Sequence, residues 1–171
     1  MGRKPCVRPV CYPLLLVLLA IAGCTKPSPP RPAPSTETRA DLRARQVEER
    51  KDEMLRELSV CESGGVGDSA QPIYGGRGAF VGRFQFTPRT VISYVQQMDG
   101  RSLSMKEAVA LAHDYQQARA LAKFVIFEKD GIWNWPLCSR KLGLAQEVSE
   151  IKTLVAEMLA MRSAVAQSAT P

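Results

Sequence analysis

Two cysteines, Cys61 and Cys138, flank the part of the chain in which most of the aromatic residues lie. The other three cysteines, Cys6, Cys11 and Cys24, fall within the first 24 residues. An even pair of cysteines in an exported domain indicates a disulfide. That bond would close a loop of about 78 residues and contribute about 4 kcal/mol in the chain-entropy model. Two free thiols or a metal pair are the alternatives, although the chain has one histidine and no CxxC sequence.

The first 24 residues have the order of a secretory signal, with basic residues before an apolar run from Leu14 to Ala22. This run is shorter than the ~20 apolar residues that a transmembrane helix needs. Its end, Ile21-Ala22-Gly23-Cys24, resembles the lipobox of bacterial lipoproteins, in which the cysteine is lipidated and becomes the first mature residue. We therefore predict a signal peptide over residues 1–23 and a lipid anchor on Cys24. The protein would then be held at a membrane that faces the cell wall or the periplasm; an uncleaved signal anchor is the alternative.

Two polar segments follow the predicted anchor. Residues 24–36 are rich in proline and are predicted to form an extended tether. At ~3.1 Å per residue this tether would span about 34 Å. Residues 37–53 are dense in charge and predict a solvated helical stalk.

The formal net charge of the chain is +6, but three of its basic residues, Arg3, Lys4 and Arg8, belong to the predicted signal. Their removal leaves +3, and no long basic run remains. Nucleic acid is therefore not an expected partner. A mildly cationic protein is still attracted to an anionic polymer or to a membrane surface.

Apolar residues at helical spacing begin at Met54. Met54, Leu55, Leu58 and Cys61 fall on one helical face. The next residue, Glu62, is expected in the last turn of this helix, because two glycines that stop helices follow shortly after it.

The rest of the chain predicts further helices and no long strand. Capping residues place helix starts at Thr87, Ser104 and Asp114. Residues 66–82 are expected to form a loop with a short hairpin. Because the aromatic residues concentrate between Tyr74 and Trp135, we expect the core there as well.

These patterns together predict a mostly α fold with a small domain over residues 54–144. Residues 145–171 predict an amphipathic helix and tail, whose stripe is apolar until Arg162. This helix would pack on the charged stalk or on a protein partner.

Three motifs occur in order along the predicted domain: CESGG at residues 61–65, GRFQFTPRT at 82–90 and WNWPLCSRKLG at 133–143. Together they resemble the lysozyme-like domain of resuscitation-promoting factors and related transglycosylase-like proteins, over about half of the chain. The resemblance implies a small lysozyme-like fold in which Cys61 pairs with Cys138.

The chain departs from the family pattern in three places. Val91 stands where a tryptophan is usual, the loop over residues 67–81 differs, and Trp133-Asn134-Trp135 replaces a single aromatic residue. These differences concern the substrate contacts more than the fold.

The resemblance implies that Glu62 is the catalytic acid, and elementary chemistry agrees. Cleavage of a glycosidic bond requires protonation of a poor leaving oxygen. A carboxyl with a raised pKa performs this step when it is held in a partly apolar cleft. The alternative for Glu62 is an ordinary surface carboxylate.

Other residues of the motifs are candidates for substrate contact. Gln85 is expected to form hydrogen bonds with an acetamido or hydroxyl group of the sugar, with a structural amide as the alternative. Tyr74, Thr90 and Trp133 are further candidates for substrate binding.

The remaining aromatic residues and the histidine are assigned mainly by their setting. Phe84, Phe86 or Trp133 are expected to supply apolar walls for the cleft. Trp135 is expected in the core, since Pro136 and a cysteine follow it. His113 is expected to face solvent on a helix and has no predicted role.

The reaction type depends on whether a second carboxylate is present. A glycoside hydrolase usually needs one, and Asp68 is the candidate, although an aspartate in a glycine-rich loop more often forms a turn. Lytic transglycosylases work with a single acid and produce an anhydro sugar. With Glu62 as the one convincing carboxylate, we expect cleavage of peptidoglycan glycan strands, with the transglycosylase route favoured over hydrolysis.

Two other classes of function are alternatives. One is a peptidoglycan-binding lipoprotein with little or no turnover. The other is an envelope scaffold in which the C-terminal helix docks a protein. No metal and no organic cofactor is implied by the sequence.

Overall fold

The computed structural model of the protein describes residues 38–168. The predicted signal peptide, the lipidation site Cys24 and the tether over residues 24–36 lie outside these described residues. Within them the protein is mostly α-helical, as predicted. The elements are, in order, α1 (Arg39–Ser63), β1 (Tyr74–Gly75), a 3-10 helix (Gly76–Gly78), β2 (Phe80–Val81), α2 (Pro88–Asp99), α3 (Met105–His113), α4 (Tyr115–Glu128), a second 3-10 helix (Gly131–Asn134), α5 (Pro136–Leu142) and α6 (Leu144–Ser168).

Helix α1 runs without interruption from the predicted charged stalk into the predicted domain. It begins with a capping box: the Thr38 side chain accepts a hydrogen bond from the Asp41 amide, and the Asp41 carboxylate accepts one from the Thr38 amide, both at 3.2 Å. It ends at Gly64, whose left-handed backbone (φ 79°) suits a residue without a Cβ. The apolar face predicted from Met54 onward is buried at Met54, Leu55 and Leu58 and half-buried at Cys61. Glu62 therefore lies in the last turn of the helix, as predicted.

Capping residues identified in the sequence begin the middle helices. Thr87 caps α2 and accepts a hydrogen bond from the Thr90 amide at 3.2 Å. Ser104 and Glu107 form a capping box on α3, and Asp114 caps α4 through the Gln117 amide at 2.9 Å.

The hydrophobic core is larger than the aromatic segment in which we expected it. It extends N-terminally into α1 and C-terminally into α6, because both long helices turn their apolar faces onto α4 and α5. The most deeply buried large side chains are Phe84, Met54, Leu55, Leu58, Leu121, Ile126, Leu144 and Ile151.

Helix α6 packs alongside α1. Arg50 of α1 forms ion pairs with Glu147 and Glu150 of α6, at 3.4 and 3.1 Å. Of the two positions left open for this helix by the sequence, packing on the charged stalk is the one observed. Farther along α6, Leu159 and Met161 are exposed. None of the helices in residues 38–168 combines the length and the apolar character needed to cross a lipid bilayer.

A short hairpin lies on the C-terminal end of α3. Strands β1 and β2 pair antiparallel, and the chain then turns at Gly82 (φ 75°). A Cβ on Gly82 would lie 1.7 Å from the carbonyl oxygen of Ala112, so the backbone approaches the helix too closely for any other residue.

The hairpin also covers His113, and the prediction that this side chain faces solvent is wrong. The Tyr74 ring packs edge-on against the imidazole, with 5.1 Å between ring centroids. Nε2 of His113 is buried and has no hydrogen-bond partner among the described residues. Burial lowers the pKa of His113, because desolvation disfavours its charged form.

Candidate active site

Glu62 opens onto a cleft of about 410 Å³ between the end of α1, the hairpin and the start of α5. Its lining combines one carboxyl, two amide side chains, a disulfide and apolar groups. The lining residues are Cys61, Glu62, Phe80, Gln85, Asn134, Trp135, Pro136, Leu137 and Cys138.

A disulfide holds the two helices on which this cleft is built. Cys61 of α1 bonds to Cys138 of α5, with 5.9 Å between their Cα atoms. The bond fixes the helix turn that carries Glu62 against the segment that follows Trp135. The predicted pairing of these two cysteines is confirmed.

The hairpin supplies one wall of the cleft through Phe80. Phe80 faces Gly75 in the strand register. A Cβ on Gly76 would lie 2.6 Å from the Phe80 ring, and a Cβ on Gly75 would lie 1.9 Å from the Gln85 side-chain oxygen. Glycine at both positions therefore lets the ring and the amide lie directly against the hairpin backbone.

Gln85 is held in an unusual backbone conformation beside Glu62. Its φ of 50° places a non-glycine residue in the left-handed region, a strained conformation that concentrates at functional sites. Its backbone amide and its side-chain amide both donate to the carbonyl oxygen of Gly82, at 3.2 and 2.7 Å. The side-chain oxygen Oε1 of Gln85 is not used in these two bonds and lies toward the hairpin and the cleft.

Trp135 forms the base of the cleft and belongs to the core, as predicted. It is 3% exposed, and its indole N–H donates to the carbonyl oxygen of Phe84 at 2.7 Å. Phe86 packs against it at 5.3 Å between ring centroids. Phe84 and Phe86 are themselves buried. The expectation that one of them lines the cleft wall is therefore wrong. Phe80 and Leu137 take that place.

The cleft raises the pKa of Glu62. The cause is burial, which disfavours the charged carboxylate. No hydrogen bond or cation within the described residues offsets this effect. Glu62 thus keeps its proton to a higher pH than an ordinary glutamate, which a general acid requires.

Asp68 and Tyr74 do not line the cleft. The Asp68 carboxylate accepts a hydrogen bond from the Tyr115 amide at 2.8 Å and so ties the loop after α1 to the start of α4. Tyr74 packs on His113 on the hairpin and is 56% exposed. Within the described part of the chain, Glu62 is therefore the one carboxylate among the cleft-lining residues.

Thr90 and Trp133 lie in a second groove of about 480 Å³, next to the first. Asn134 lines both, so the two depressions meet at this residue. The Thr90 hydroxyl is 2.7 Å from that of Thr87, within the cap of α2. Trp133 is 67% exposed. Of the four predicted binding residues, Gln85 therefore lines the cleft with Glu62, Thr90 and Trp133 line the adjoining groove, and Tyr74 lines neither.

Sequence reasoning did not find three residues that shape the site: Phe80, Asn134 and Leu137. Phe80 lies in the loop that departs from the family pattern, and Asn134 lies between the two tryptophans. The signal for Phe80 was present in the paired glycines before it, which permit close packing of a ring.

Comparison with protein-family models, with curated protein sequences and with solved structures gives no match for this chain. Among residues 38–168, no group of three or more His, Cys, Asp or Glu residues is placed to bind a metal ion.

Proposed function

We propose that this protein cleaves the glycan strands of peptidoglycan and that Glu62 is the general acid. The observation that carries the proposal is the setting of Glu62. It is the cleft's carboxyl, its pKa is raised by burial, and Phe80 and Trp135 lie around it. A protonated carboxylic acid in a partly apolar cleft is the group that departure of a sugar alkoxide requires.

The reaction uses Glu62 twice. The carboxylic acid donates its proton to the glycosidic oxygen as the bond between that oxygen and C1 of the muramic acid breaks. The resulting carboxylate then accepts the proton of the O6 hydroxyl as O6 forms a bond to C1 of the same sugar. The product is a 1,6-anhydro sugar, and Glu62 is again protonated for the next cycle.

The absence of a second carboxylate from the described cleft lining favours this route over hydrolysis. A hydrolase places a second carboxylate about 5–9.5 Å from the acid to act as nucleophile or base. Asp68, the candidate for that role, is bonded to the Tyr115 amide instead. An intramolecular attack by O6 needs no activated water and no second acidic residue.

The choice of peptidoglycan as substrate rests on three features. The motifs around Glu62, Gln85 and Cys138 resemble those of the transglycosylase-like family. The N-terminal sequence predicts a protein exported to the cell envelope. The two adjoining grooves provide room for several sugars of a polymer, which a pocket for a single small molecule would not need.

The products of digestion test this proposal. Purified peptidoglycan is incubated with the disulfide-bonded protein and with the Glu62→Gln variant, and the soluble products are identified by mass spectrometry. We expect anhydro-muropeptides from the wild type and none from the variant. Products one water heavier, with a reducing end, would indicate a muramidase, and an Asp68→Asn variant would then test the second carboxylate. No products from the folded wild type would overturn the proposal and favour a binding or scaffold role.

A further inference from the structure

The groove that adjoins the Glu62 cleft differs from it in charge. Its charged lining residues are Arg89 and Lys129, and no aspartate or glutamate is among the described residues that line it. The full lining is Arg89, Thr90, Ser93, Tyr94, Gln97, Lys129, Trp133 and Asn134.

These two cations have no acidic partner in the described part of the chain. The Arg89 side chain makes no hydrogen bond or ion pair there, and the Lys129 ammonium lies over the Phe124 ring, 5.3 Å from its centroid. Several other cations of the described residues are paired with carboxylates: Arg50, Arg101, Arg119, Lys123 and Lys152 each form an ion pair. The groove thus presents positive charge that the fold itself does not neutralise.

An exposed aromatic side chain lies in the same groove. Trp133 sits on the second 3-10 helix and is 67% exposed. That short helix is braced by the Asn134 side-chain amide, which donates to the Gly131 carbonyl oxygen at 2.7 Å and to the Tyr94 hydroxyl at 3.4 Å. A large apolar ring on a braced segment offers a fixed surface for the C–H face of a sugar.

We propose that this groove is a second binding site on the same protein and that it takes a carboxylate-bearing saccharide. Trp133 would contact the sugar ring, while Arg89 and Lys129 would pair with the carboxylate. The inference rests on the proposed function, because the polymer that enters the groove is the one that reaches Glu62 through the junction at Asn134. It adds that the groove prefers an anionic saccharide, since an uncharged strand of N-acetylglucosamine would leave both cations without a partner.

The required carboxylate has two sources in peptidoglycan. One is the lactyl group of muramic acid, which is free where no peptide is attached. The other is the stem peptide. Both present the same chemistry to Arg89 and Lys129, and both attractions weaken with salt because the cations are exposed.

Binding measurements on the full-length chain test the inference. The chain carries Glu62→Gln to prevent turnover. The three ligands are the uncharged N-acetylglucosamine tetramer, a peptide-free tetrasaccharide with muramic acid, and the same tetrasaccharide with stem peptides. We expect the carboxylated ligand to bind about tenfold more tightly than the uncharged one, as one charge-assisted contact supplies. If the peptide-free ligand already has this advantage, the lactyl group is the source; if only the peptide-bearing ligand has it, the stem peptide is.

Matched variants separate the groove from general charge attraction. Arg89→Gln with Lys129→Gln should abolish the preference for carboxylated ligands. Lys106→Gln with Lys141→Gln removes the same charge from exposed positions outside the groove and should leave the preference intact. Trp133→Ala should weaken binding of all three ligands alike.

Three outcomes would contradict the inference in different ways. Equal affinity for charged and uncharged ligands would overturn the anionic site but leave the proposed function standing. An equal loss of preference in both double variants would show that net charge, and not the groove, selects the ligand. Failure of the folded protein to bind any of the three saccharides would overturn both this inference and the proposed function.

Discussion

Replacement of both Cys61 and Cys138 with alanine should strongly lower the free energy of unfolding of this protein, because it removes the disulfide. The two cysteines are 77 residues apart in sequence. In the chain-entropy model, closing a loop of that length in the unfolded state contributes about 4.5 kcal/mol. Domains of this size have total stabilities of roughly 5–15 kcal/mol, so the loss would be a large share of the whole.

Equilibrium unfolding in urea measures this effect. Trp135 is buried at the base of the cleft, and its fluorescence should report the transition. The free energy of unfolding in water, extrapolated linearly from the transition, should fall by about 4 kcal/mol in the double variant relative to the oxidised wild type. Wild type unfolded in the presence of a reductant is the matched control and should behave like the variant. A loss below about 1 kcal/mol, with an unchanged denaturant slope, would refute the chain-entropy argument for this bond.

Three further predictions concern the residues around the cleft. Burial raises the pKa of Glu62 in the folded protein above its value in the unfolded chain. Below the unfolded-state pKa the carboxyl is neutral in both states and does not lower the stability. As the pH rises through the folded-state pKa, the buried carboxylate lowers the stability of the wild type. Glu62→Gln should therefore gain stability over the wild type between those two pH values and keep a constant advantage above them, as measured by melts across a pH series; a variant advantage that is the same at pH 3 and pH 8 would contradict this. Gly82→Ala should lose about 3 kcal/mol of stability or fail to fold, because the residue has a left-handed backbone and its Cβ would meet the Ala112 carbonyl oxygen. A melting temperature within two or three degrees of wild type is expected for a loss of well under ~1 kcal/mol. That result would contradict the close approach of the hairpin to α3. Gln85→Gly should be more stable than Gln85→Ala by about 1 kcal/mol, since both variants lose the side-chain amide and only alanine is strained at φ 50°. Equal stabilities of the two variants in denaturant would argue against a left-handed backbone at position 85.

The helix ends could be predicted from the sequence because they depend on residues within one turn of each other. Thr87, Ser104 and Asp114 cap helices where their side chains meet amides three residues on. Gly64 and Gly100 end helices through their own backbone conformation. Such local chemistry is complete in a short window of sequence.

The short helix α5 could not be predicted in this way. Its seven residues, Pro136–Leu142, are too few to display a periodic apolar face. Its position depends on the disulfide at Cys138 and on the packing of Trp135 before it. Both contacts join residues that are distant in sequence.

Part of the site could not be predicted from the sequence either, because three aromatic residues of similar character lie close together along the chain. Phe84 and Phe86 are core residues while Phe80 lines the cleft. The direction of each ring is set by the hairpin register and by the approach of Gly82 to α3. The roles of Asp68 and His113 likewise follow from contacts with α4 and with the hairpin. In contrast, Glu62 could be identified directly, because its place depends on a helix end that the next two glycines mark.

The most direct test of the central claim is the initial rate at which this protein releases soluble fragments from dye-labelled peptidoglycan, compared with that of Glu62→Gln under identical conditions. The amide keeps the size of the side chain but cannot donate a proton to the leaving oxygen, and general acid catalysis contributes about 10²–10⁴-fold. We predict a fall of at least about a hundredfold in the variant, with an unfolding transition that shows it to be folded. A Gln variant that retains a rate within about threefold of the wild type would contradict the assignment of Glu62 as the catalytic acid.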